Sequence, residues 1–182
     1  MSRVFASKWA CVIGAALVVA AGLVAHAQQV LRVVPLVHDN QVLVSFDVAE
    51  GYTNDVREAI ASGLRTTFSY DVELRMTARM WVDRVVATSV VSTSDRYDNL
   101  TRQHALTRTI DGREQDSTTT DDEATVRRFL TSLDKLVICQ TTKLEANRDY
   151  YVRVSARVQP YHTSMLGWTS AIVGRTPFTF VP

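Results

Sequence analysis

Phe68-Ser69-Tyr70-Asp71-Val72-Glu73-Leu74-Arg75-Met76 alternates apolar and polar side chains without a break. In an extended chain, successive side chains point to opposite faces. Phe68, Tyr70, Val72, Leu74 and Met76 therefore form a buried face, and Ser69, Asp71, Glu73 and Arg75 face water or a polar partner. A helix would scatter both sets around its axis. The rhythm returns at Tyr150, Val152, Val154, Ala156 and Val158, set against Tyr151, Arg153, Ser155 and Arg157. Two long half-buried strands of this kind make the fold β-rich.

The neighbouring segments extend this reading. Trp81 to Thr93 is rich in valine and threonine. The connection around Arg79 is too short for a crossover helix, so this strand pairs antiparallel with the first. Ser94-Asp95-Arg96 reads as the next turn, and Tyr97 to Ile110 as a third strand with a bulge near Asn99. Upstream, Leu31 to Val37 carries Pro35, which cannot donate to a ladder and marks an edge or a bulge. Asp39-Asn40 is a turn, and Val42, Val44, Phe46 and Val48 alternate along a second strand, so residues 31–48 form an opening hairpin. A short helix follows Gly51. Thr53, Asn54 or Asp55 caps it, Val56, Ala59, Ile60 and Leu64 repeat at helical spacing, and Gly63 ends it.

Downstream, Asp111-Gly112 is a hairpin turn signal, and residues 111–120, wholly polar, read as a mobile loop. Thr120-Asp121-Asp122-Glu123 fits a capping box, with threonine as the cap. Val126, Phe129, Leu130, Leu133 and Val137 then predict a helix over about residues 121–134, followed by a short strand at Leu136 to Gln140. Asn147-Arg148 turns the chain into the strand that stops at Pro160. Residues 161–176 read as a loop holding Trp168, and Phe178 to Val181 as a closing strand. The predicted order is β β α β β β α (β) β β. The helices are inserted into a meander and do not alternate with strands, which argues against a doubly wound parallel sheet. The expected class is mainly β, an antiparallel sheet or β-sandwich-like fold with two short helices packed on it, α+β by strict content.

The N-terminus has the pattern of a secretory leader. Arg3 and Lys8 precede an apolar run from Trp9 to Ala25, which ends in Ala25-His26-Ala27. Cations followed by an apolar segment and small residues at the cleavage positions define such a signal. Residues 1–27 are thus expected to be a signal peptide and residues 28–182 a single periplasmic domain starting at Gln28. The rival reading is an uncleaved membrane anchor, although the run is near the short end of what spans a bilayer. The leader holds two of the 20 cations and none of the 19 acids, leaving 18 against 19. That balance gives no electrostatic footprint for nucleic acid. Cys139, the cysteine left after the leader, lies in an apolar run and reads as a small buried hydrophobe.

The segments Val44-Ser45-Phe46, Ser62-Gly63-Leu64, the Phe68–Met76 strand, Arg96-Tyr97-Asp98-Asn99-Leu100-Thr101-Arg102-Gln103 and Tyr150-Tyr151-Val152-Arg153-Val154 occur in that order. Together they resemble the bacterial exported family catalogued as domain of unknown function 4390. The resemblance runs from about Val42 to Val158, and its most specific element is the Tyr97–Gln103 segment. His104 departs from it, since the family more often has an aromatic residue there, and the C-terminal loop matches poorly. The resemblance implies an envelope location and one β-rich domain. It implies no activity and no catalytic residue.

The residues themselves offer little chemistry. His38, His104 and His162 have no metal-ligand spacing. There is no Gly-x-Ser-x-Gly elbow and no glycine-rich phosphate loop, which excludes nucleotide binding by those fingerprints. Asp71 and Glu73 share a strand face in a spacing a glycosidase pair could use, but Arg75 follows them, which favours a surface ion ladder. No cofactor is expected, and the chain is not expected to be an enzyme. Of the 20 cations 17 are arginine, and several lie on strands. Guanidinium groups match carboxylate and phosphate geometry, so Arg75, Arg102, Arg153 and Arg157 are candidates for receiving an anionic partner. Trp168 is a further candidate contact. The leading expectation is a protein-interaction or assembly factor that meets another envelope protein, with the Pro35 strand and the C-terminal strand as sheet edges. The alternative is a binding module for a small apolar or anionic ligand between sheet and helices.

Overall fold

The computed structural model describes residues 31–48, 50–78, 82–160 and 171–181. The expected leader, Arg79, Trp81, His162 and Trp168 lie outside them. In chain order the elements are β1 (Leu31–His38), β2 (Gln41–Val48), α1 (Asn54–Ala61), β3 (Thr66–Met76), β4 (Arg84–Asp98), β5 (Gln103–Ile110), β6 (Arg113–Thr120), α2 (Glu123–Thr131), β7 (Ser132–Gln140), a 3-10 turn at Thr141–Lys143, β8 (Arg148–Pro160) and β9 (Ile172–Phe180). They form a three-stranded sheet, order β1-β2-β7, and a six-stranded sheet, order β6-β5-β4-β3-β8-β9. Every pairing among the described residues is antiparallel. The fold is mainly β with two short helices, as the alternation predicts.

β3 lies between β4 and β8, with Glu73 opposite Thr88 on one side and Arg153 on the other. Its apolar face is buried at Phe68, Tyr70, Val72 and Leu74. The three-stranded sheet covers that face with Val42, Val44, Phe46 and Val48. The Phe46 and Tyr70 rings meet across the interior at 4.7 Å between centroids. The tight turns follow from residue chemistry: Asp39 and Asn40, then Asp111 and Gly112, all have positive φ, the conformation two-residue hairpin loops need. Gly63 ends α1 at φ 82°.

α2 is held by its C-terminal end. The Tyr70 and Thr93 hydroxyls donate to the Leu130 carbonyl, and Arg108 donates to the carbonyls of Phe129 and Ser132. The Arg108 guanidinium also lies 4.3 Å from the centre of the Phe129 ring. A cation here complements the helix dipole, and β7 starts at the next residue with no linker.

Several boundaries differ from expectation. Ser94-Asp95-Arg96 is not a turn. β4 runs through it to Asp98, because Asp95 finds a partner inside the fold. The turn comes at residues 99–102, where the Asp98 carboxylate accepts from the Leu100 N–H at 2.8 Å and Arg102 adopts φ 57°. Tyr97–Ile110 is therefore not one strand, and β5 starts at Gln103. Residues 113–120 are not a loop but the edge strand β6. They are polar because both faces and one edge meet water. Thr120 ends β6, and Asp122 is the cap, accepting from the Ala124 and Thr125 N–H groups. α2 ends at Thr131, before residue 134. Leu133, Leu136 and Cys139 are buried three residues apart because β7 carries two register shifts. A bulged strand thus imitates helical spacing. β9 starts at Ile172, inside the predicted 161–176 loop.

Candidate functional site

The outer face of the six-stranded sheet is polar and open. Three rows cross it in register: Val90, Asp71, Ser155 and Val173; then Thr88, Glu73, Arg153 and Arg175; then Val85, Arg75, Tyr151 and Pro177. An open depression of about 310 Å³ lies here, lined by Asp71, Glu73, Thr88, Arg153, Ser155 and Arg157 among others.

Its charges are arranged unequally. Arg157 pairs with Asp71, and Arg75 reaches Glu73 at 3.4 Å and the Asp83 carbonyl at 3.4 Å. Arg153 faces Glu73 on one side and Arg175 on the other, yet it makes no ion pair among the described residues. Arg175 spends its charge differently, with its guanidinium 3.6 Å from the centre of the Tyr151 ring. The Tyr151 hydroxyl donates to Asp83 at 2.8 Å, and the Ala78 N–H donates to the same carboxylate at 3.1 Å. These two donors hold the Asp83 carboxyl below its ordinary range. Burial, then the bond to Asp83, pushes the Tyr151 phenol up. Tyr151 is buried although it stands on the polar face, because Arg175 covers it and Asp83 ties it down.

Of the candidate cations, Arg75, Arg153 and Arg157 share this face. Arg102 does not join them, since it sits in the β4–β5 turn, exposed, with its N–H bonded to the Asp98 carbonyl at 2.8 Å. Trp168 lies outside the described residues. Arg175 belongs to the face, although it falls within the predicted 161–176 loop. Two-residue alternation from Ile172 to Phe180 was the available signal.

A second polar cluster lies inside the sandwich. Asp95 is fully buried, and its carboxylate is 2.8 Å from His104 Nδ1. The His104 ring rests 4.6 Å from that of Tyr97. Thr66 stands directly opposite Asp95 on β3, also fully buried. Burial pushes the Asp95 carboxyl up, opposed by His104. Nearby, Arg57 of α1 pairs with Glu123 of α2 at 2.8 Å. Cys139 is buried, which pushes its thiol up. No group of three or more metal-ligating side chains occurs among the described residues.

The most specific stretch of the resemblance, Tyr97 to Gln103, is therefore the β4–β5 hairpin turn, organised by Asp98. No curated protein matches the chain, and no solved structure does. The family defined as Domain of unknown function (DUF4390) matches residues 26–164, from ahead of β1 to four residues past β8, and the chain belongs to that family.

Proposed function

We propose that this protein is exported to the cell envelope, where it acts by binding a partner protein through the arginine-bearing outer face of its larger sheet, without catalysis. The observation that carries this reading is Arg153. It is a cation on a broad open face, flanked by Arg157 and Arg175, while Asp71 and Glu73 are engaged by Arg157 and Arg75. A guanidinium without a carboxylate is suited to an acidic side chain presented by another surface. The interior supports a protein partner over a ligand enclosed between sheet and helices, because Phe46, Phe68, Tyr70, Phe129 and Leu130 fill that space. The leader pattern of residues 1–27 supports export, with Gln28 as the mature start.

A second reading, a small anionic ligand, is favoured by the depression beside Arg153. One experiment separates the two. Tagged full-length protein is crosslinked in intact cells, purified, and analysed by mass spectrometry beside the Arg153→Glu, Arg157→Glu variant. A specific envelope protein captured by the wild type and lost in a folded variant supports the proposal. A retained small molecule and no protein moves the reading to the ligand module. Capture unaffected by the charge reversal removes the arginine face from the account.

A further inference from the structure

We propose that β6 is a strand-accepting edge, and that its occupant is an extended segment of a partner protein carrying lysine or arginine. This rests on reading the chain as a partner-binding protein, but not on the arginine face.

Unpaired edges are normally guarded by bulges, proline, charged side chains (lysine above all) or a covering element. Three of the four outer strands follow that rule. β1 and β9 lie against each other: a Cβ added at Gly174 would fall 2.9 Å from Leu31, and the Thr176 hydroxyl donates to the Val33 carbonyl at 2.8 Å. β7 is broken by two register shifts, with Lys135 at φ 54°.

β6 differs. Its one register shift lies near its start, so Asp116 to Thr120 runs regularly against β5. Residues Arg113 to Thr119 are all exposed. The strand contains no proline, glycine or lysine, and it ends in three threonines of high strand propensity. Its backbone N–H and C=O groups on the side away from β5 have no strand partner among the described residues. Such groups must be met by water or by another strand, and strand addition is an established mode of peptide recognition.

Charge selects the occupant. From Asp111 to Glu123 there are six acids and one cation, Arg113. Asp111 holds the Ser89 hydroxyl and the Val90 N–H, Asp122 caps α2, and Glu123 pairs with Arg57. Glu114 and Asp121 are left at the surface, with Asp116 opposite Arg108. A basic segment complements this edge. A second copy of β6 would bring like charges together, which is destabilising across a strand pair.

The test uses the full mature chain and two labelled eight-residue peptides, one alternating valine with lysine and one alternating valine with glutamate. The valine–lysine peptide should bind at least tenfold more tightly, slow hydrogen exchange at β6 amides, and lose binding when alternate peptide amides are methylated. Glu114→Lys with Asp121→Lys should weaken it at least tenfold. N–H direction alternates along a strand, so one of Ser117→Pro and Thr118→Pro removes an outward donor; the variant that keeps the wild-type fold should lose binding. Equal binding of both peptides, no binding, or protection away from β6 overturns the proposal. A dimer that a folded β6 proline variant dissociates makes a second copy the occupant and also overturns it. Arg153→Glu with Arg157→Glu should leave peptide binding unchanged, so failure here is distinct from failure of the arginine face.

Discussion

The Tyr70 hydroxyl, at the centre of the six-stranded sheet, donates to the Leu130 carbonyl at the end of α2, across 2.5 Å. Thr93 donates to the same oxygen at 3.1 Å. One acceptor with two buried donors predicts non-additive mutations. Tyr70→Phe and Thr93→Val should each cost about 1 kcal/mol, the net worth of a typical hydrogen bond. The double variant should cost more than the sum, by about 1 kcal/mol or above, because only then is the buried carbonyl left unpaired. Chemical denaturation of all four proteins gives the coupling, and strict additivity would mean the carbonyl has another donor.

Asp95 gives the fold an unusual pH signature. Burial raises its carboxyl above the ordinary 3.8, so near that pH the folded chain binds more protons than the unfolded one. Its contribution is then complete below the unfolded pKa and lost as pH rises through the folded one. Asp95→Asn removes this term. The stability of wild type relative to the variant should be greatest in acid and decline as pH rises. A difference that stays flat or grows toward neutral pH would contradict the assignment.

Asp122 has the opposite sign. The Thr125 hydroxyl and the Thr125 and Ala124 N–H groups hold its carboxyl below 3.8. Its stabilisation is therefore present above the unfolded value and lost as pH falls through the folded one. Asp122→Ala should lower Tm at neutral pH, and the loss should fade in strong acid. Thr120→Ala should lower Tm less, since among the described residues the Thr120 hydroxyl accepts only from the Asp122 N–H.

Gly174 is a position of close approach. A Cβ there would come within 2.9 Å of Leu31 Cγ, the Leu31 carbonyl oxygen and Val33 Cγ2. Gly174→Val should destabilise by about 1–3 kcal/mol, as overpacking does, and raise exchange at β1 amides. Gly112→Ala is the useful contrast, since nothing lies within 4 Å of its Cβ and only its φ of 77° is strained.

The main sheet could be read in sequence because β3 and β8 are buried on one face only. One-sided burial writes itself as alternation, so the partition of Asp71, Glu73, Arg75, Arg153 and Arg157 onto one outer face was legible. Where burial is not one-sided, the signal fails. β6 is wet on both faces and carries no apolar residue, so it looked like a loop. β7 buries every third residue through its bulges, so its first half looked like helix. Asp95 looked like a turn residue because its partner, His104, lies on the next strand. The cluster of Tyr151, Arg175 and Asp83 was hidden for a related reason. Tyr151 occupies a polar-face position, and only a tertiary contact buries it.

The pairing of β2 with β7, Gln41 opposite Gln140 and Asp47 opposite Ser132, has a consequence in time. A chain made from its N-terminus releases the β1–β2 hairpin early, with Val42, Val44 and Phe46 uncovered. The strand that completes its sheet is synthesised on the order of ten seconds later at ordinary translation rates. Through that interval the hairpin is a sticky, half-finished surface, and the newborn chain is at its most vulnerable to adhesion before it has become a protein at all.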